Sequence, residues 1–95
     1  MSIWTEVTIK ANLAEGISLA KVFKAHCDET YVNIANSKLN PHTRRNSIVA
    51  HVSYCADGQT AVNYLRNVIK EILLRDPKAK FEIEFDRLYF TESTF

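Results

Sequence analysis

Four basic side chains lie close together in this chain: Lys38, His42, Arg44 and Arg45. They fall in 37–46, a stretch with a proline, two asparagines (three counting Asn36) and no apolar period, which reads as a loop between two strands. Adjacent guanidinium groups can grip phosphates or carboxylates with two parallel hydrogen bonds each. Long hairpin loops carry function more often than cores do. The loop is therefore the candidate binding element for RNA or for an acidic protein surface, set against the plainer reading of a solvated, flexible connection. Lys10, Lys21 and Lys24 add positive charge at places the sequence alone does not bring near the loop.

Other reactive residue types form no recognisable constellation. His26 and Cys27 are adjacent, and a long gap precedes His51 and Cys55. This spacing matches no zinc framework, so the expectation is packed side chains and no metal. Cys27 as a nucleophile would need an exposed, electropositive setting, which its apolar helix face does not offer. Glu82, Glu84 and Asp86 alternate along an apparent strand. They read as a solvated edge that discourages sheet-to-sheet pairing, with an acid-based enzyme as the rival. Gly16 and Gly58 stand alone, whereas phosphate loops and dinucleotide folds need several glycines. No cofactor is expected. Residues 11–16 contain no arginine for a phosphate cradle, although Gly16 near a helix start allows a small-ligand regulatory site.

The chain has 95 residues, enough for one core and too few for two domains, so 1–95 reads as a single domain. A net charge of +1 argues against a strongly basic nucleic-acid binder or an acidic nucleic-acid mimic, while permitting local patches. The opening residues show no basic-then-apolar leader, and no apolar run reaches the ~18 residues of a membrane span. The expectation is a cytoplasmic protein, free of membranes, with reduced cysteines.

Hydrophobic periodicity supplies the elements. Ile3, Thr5, Val7, Ile9 and Ala11 alternate with polar residues and predict a strand over 3–13. Leu19, Val22, Phe23, His26 and Cys27 share one face of a helix over 15–28. Residues 30–36 read as a short strand and 47–55 as a third. Val62, Leu65, Val68, Ile69, Ile72 and Leu73 form a stripe at helical spacing over 59–75, capped by Asp57 and stopped by Asp76 and Pro77. Phe81, Ile83 and Phe85 predict a last strand over 80–90.

Two striped helices must cover apolar sheet surface. The order strand, helix, strand, strand, helix, strand with right-handed crossovers predicts an α+β βαββαβ ferredoxin-like fold. Its four-stranded antiparallel sheet, in the order 4-1-3-2, carries both helices on one face. The open face would then present Trp4, Glu6, Thr8 and Lys10; Val49, His51 and Ser53; Tyr31, Asn33 and Ala35; and Glu82, Glu84 and Asp86.

The layout, and the run RRNSIVAHVSY followed by a helix with Ala61 in its first turn, resembles an RNA-recognition motif. That family stacks bases on aromatics of its two central strands. Here those positions hold Glu6, Thr8, Val49, His51 and Ser53, and only His51 could stack.

The opening SIWTEV, the run SIVAHVSYCADGQTAVNYLRNVIKEIL and the closing FEIEFDRLYF resemble small accessory proteins of tailed bacteriophages. The Gly-Ser-rich segment of that group is absent, and residues 40–45 stand in its region. The resemblance implies a small non-enzymatic phage protein that engages a host or defence component. The leading expectation is thus a non-enzymatic interaction module, in its specific form a phage-encoded inhibitor. It would be a homodimer through Trp4, Tyr31, Val49 or an edge strand, since two-fold dimers are the commonest closed oligomers. RNA binding through the basic loop and a small-ligand regulatory domain are the alternatives.

Overall fold

In the computed structural model, which describes residues 4–87, the elements follow the order β1 (Thr5–Ala14), α1 (Leu19–His26), β2 (Thr30–Asn40), β3 (Arg45–Tyr54), α2 (Gly58–Arg75) and β4 (Lys80–Arg87). The sheet order is β2-β3-β1-β4, and the three pairings are antiparallel. This is the α+β arrangement that the periodicity predicts. Residues 88–90, expected in the last strand, lie outside the described residues.

Each element forms for a local reason. β1 buries Thr5, Val7, Ile9, Ala11 and Leu13 and turns the residues between them outward, the period-two pattern of a strand with one face on a core. Gly16 follows with φ of 96°, a left-handed conformation that suits glycine. The turn itself accounts for that residue. α1 is shorter than expected because Ser18 caps it, its Oγ accepting from the Lys21 backbone N–H at 3.3 Å. α2 begins where Asp57 accepts from the Thr60 N–H at 2.8 Å. That bond holds the Asp57 carboxyl below its ordinary range.

Both helices meet the sheet through one core. Leu19, Val22 and Phe23 of α1 and Ala61, Leu65, Val68 and Ile72 of α2 pack on the buried faces of β1 and β3. Val62 and Ile69, expected in the stripe, are half-buried, and Leu73 is exposed. Tyr54 lies under α1, its ring edge-on to Phe23 at 5.9 Å and stacked on Tyr64 at 6.0 Å. Burial, then the nearby Cys27, pushes its hydroxyl pKa up.

The expected loop over 37–46 is corrected. β2 runs on through Ser37, Lys38 and Leu39 to Asn40, and β3 starts at Arg45, so only 41–44 form the turn. Asn40 organises that turn: its Oδ1 accepts from the His42 N–H at 2.9 Å, and its carbonyl from the Arg44 N–H at 2.8 Å. Arg44 adopts φ of 59° to close it. The distal half of β2 is exposed on both faces, so it has no apolar alternation to reveal it. A bulge between Ile34 and Asn36 also shifts the register. Ala35, expected on the open face, is the extra residue there. Asn36 and Lys38 take the outward positions opposite Val49 and Ser47.

Candidate binding face

The face of the sheet away from the helices is built by cross-strand rows. At one level Lys10 lies opposite Val49 on β3 and Glu82 on β4. At the next, Asn12 lies opposite Ser47 and Lys80, and Ser47 in turn lies opposite Lys38. These residues, with Asn36, line a depression of about 400 Å³ to which all four strands contribute. Its lining carries three ammonium groups, from Lys10, Lys38 and Lys80, against one carboxylate, from Glu82. Among the described residues, no carboxylate lies within ion-pairing distance, 4.0 Å, of any of the three lysines. Like charges gathered on one concave surface, close within a Debye length, repel until an anion joins them. Asn12, Asn36 and Ser47 add neutral polar groups around the same space.

The other end of the face has the opposite sign. Glu84 lies opposite Thr8, and the exposed Asp86 accepts a hydrogen bond from Thr8 Oγ1 at 2.6 Å. The same hydroxyl lies 3.1 Å from His51 Nδ1. At this end Trp4 meets Tyr31 with ring centroids 5.6 Å apart, and Tyr31 is two-thirds exposed. Glu82, Glu84 and Asp86 thus hold the edge-strand position expected of them, and the face is divided lengthwise into a basic and an acidic half.

The four basic residues singled out in the sequence do not act together. Lys38 joins the depression. His42 is exposed on the turn. Arg44 pairs with Glu15, Nε to Oε2 at 2.8 Å. Arg45 is committed to the fold: its Nη2 and Nη1 donate to the two oxygens of Asp76 at 2.8 and 3.3 Å. Its Nε and Nη2 also donate to the side chain and carbonyl of Asn12. The adjacent-arginine clamp is therefore corrected. One arginine already holds a buried carboxylate, because Asp76 is 5% exposed and needs that partner.

Lys10, expected on the open face, and Lys80, unremarked in the sequence, stand with Lys38 around the depression. Only the strand register, with β2 extended past its bulge, brings them beside Lys38. Of the proposed self-association residues, Trp4 and Tyr31 meet at the acidic end, while Val49 lines the basic depression. His26, Cys27, His51 and Cys55 stay apart. His26 faces Glu71 of α2 at 3.3 Å, and His51 stands on the open face. No cluster of three or more metal-ligating side chains occurs among the described residues, and none of their helices is long and apolar enough to cross a membrane.

No family model matches the chain, and no curated protein matches it. Among solved structures, a de novo designed protein, Foldit4, is similar with a TM-score of 0.65. It shares 11% identity, and the match covers 90% of this chain and 98% of that one. At that identity the likeness shows the fold alone.

Proposed function

We propose that this protein is a non-enzymatic interaction module that docks an acidic segment of a partner protein on the basic half of its open sheet face. The observation that carries the reading is the set of Lys10, Lys38 and Lys80 around one depression, against the single carboxylate of Glu82 and with no ion pair to any of the three among the described residues. Carboxylates match this lining: three ammonium groups supply charge, and Asn12, Asn36 and Ser47 supply hydrogen bonds. RNA phosphates would share the charge. However, the two central strands present Glu6, Thr8, Val49, His51 and Ser53 and no Phe, Tyr or Trp platform beside the lysines. This favours a protein partner. The resemblance of the opening and closing segments to tailed-phage accessory proteins makes that partner a host or defence protein, met in the host cytoplasm.

Affinity capture from nuclease-treated bacterial lysate tests the reading, with wild type compared to Lys10→Glu/Lys38→Glu/Lys80→Glu. The expected result is a stoichiometric acidic protein that the reversed variant loses and that leaves the wild type at high salt. Equal capture by both proteins contradicts the reading. So does material that, without nuclease, proves to be RNA.

A further inference from the structure

We propose that a second copy of this chain covers the open sheet face, across a two-fold axis that lies between the two sheets and runs perpendicular to their strands. The proposal shares with the functional reading the premise that the lysine half recognises carboxylates, and here the carboxylates are the chain's own.

Along β1 the basic level is set by Lys10 and Asn12, and the acidic level by Thr8 and the positions before it. A two-fold axis crossing the strands between Thr8 and Lys10 exchanges these levels between copies and keeps each strand over its own counterpart. Lys80, opposite Asn12 on β4, then comes over the level of Glu6, where the other β4 passes through Asp86 and Arg87 at its register shift. Lys10 comes over the level of Thr8, beside Glu84. Lys38, at the Asn12 level of β2, comes over the level of Tyr31, where the Trp4–Tyr31 ring pair offers aromatic faces to a cation. Each lysine gains a counterpart, Glu82 comes over Glu84 with a Lys10 beside each of them, and the symmetry repeats every contact.

The other face-to-face two-fold, parallel to the strands, keeps the levels. It sets Lys38 of β2 against Lys80 of β4 and lays basic level on basic level, so that no lysine comes over the acidic levels. Faces about 10 Å apart, as packed sheets are, suit long lysine stems reaching across. The surface is polar, with Trp4, Tyr31 and Val49 as its larger apolar groups, so the association depends on charge and weakens with salt. A consequence follows for the partner: its acidic segment and the second copy compete for the same lysines.

The test is sedimentation velocity on the whole chain, with circular dichroism to confirm folding, at about 20 mM and about 500 mM salt, where screening differs several-fold. Wild type should sediment at about twice the 10.9 kDa chain mass in low salt and shift toward that mass in high salt. Lys10→Glu/Lys38→Glu/Lys80→Glu alone and Glu84→Lys/Asp86→Lys alone should each be monomeric. Mixed in equal amounts, they should form a heterodimer.

A wild-type monomer at low salt overturns the proposal, as does a dimer that survives either reversal or two folded variants that fail to associate when mixed. If a multiple variant unfolds, the milder pair Lys80→Glu and Asp86→Lys carries the same mixing test. A wild-type monomer that still captures an acidic protein removes the dimer and leaves the functional reading standing. A dimer with no captured protein does the reverse.

Discussion

Arg45 shows how one side chain can be claimed by the fold. It spans β3, β1 and the end of α2, with Asp76 also accepting the Ala14 and Lys78 backbone N–H groups at 2.9 and 3.2 Å. The Arg45 hydrogen bonds, foremost, hold the Asp76 carboxyl below the ordinary carboxylate range, against the opposing effect of its burial. A carboxyl whose folded pKa is depressed stabilises the fold above its unfolded pKa of about 4. That contribution is lost as pH falls through the folded value. Asp76→Asn should therefore lower the thermal midpoint at pH 7 and flatten the acid side of the stability profile. Parallel wild-type and variant profiles below pH 4 would show that the clamp carries no such linkage. In sequence, nothing marks Arg45 as different from Arg44, because its partners lie far away along the chain. Arg44, paired on the surface with Glu15, contributes little to stability.

At the scale of elements, the helices and β1 were legible because burial writes a period into them. α2 shows this at single positions: Leu65, Val68 and Ile72 face the core, while Leu74 is 84% exposed. Leu65→Ala or Ile72→Ala should cost about 2–5 kcal/mol, and Leu74→Ala less than about 0.5 kcal/mol, in urea unfolding. Comparable losses at all three would mean that the helix is rotated from the orientation described. The distal half of β2 was illegible for the complementary reason. Its residues are exposed on both faces, and pairing with β3 through backbone hydrogen bonds leaves no trace in side-chain type. The bulge then hid the outward positions by changing their parity, so that Ala35 gave way to Asn36 and Lys38. The candidate site inherited both gaps. Its three lysines come from three strands, and the sequence offered Lys10 on the open face and Lys38 in a loop, with nothing to bring the two together or to add Lys80.

At the scale of the whole molecule, a net charge of +1 conceals a face with a basic half and an acidic half. A near-neutral total argued against bulk attraction to nucleic acid, and the division explains how a near-neutral chain can still present a focused charge to a partner. The functional account stands or falls on where an acidic ligand lands. The most direct test is amide NMR of the isotope-labelled protein titrated with a short poly-glutamate peptide at near-physiological salt. The account predicts the largest shift changes at Lys10, Asn12, Asn36, Lys38, Ser47 and Lys80, with the turn at His42 to Arg44 and the outer face of α2 little changed. Changes centred on that turn, or spread evenly over the surface lysines, would contradict it.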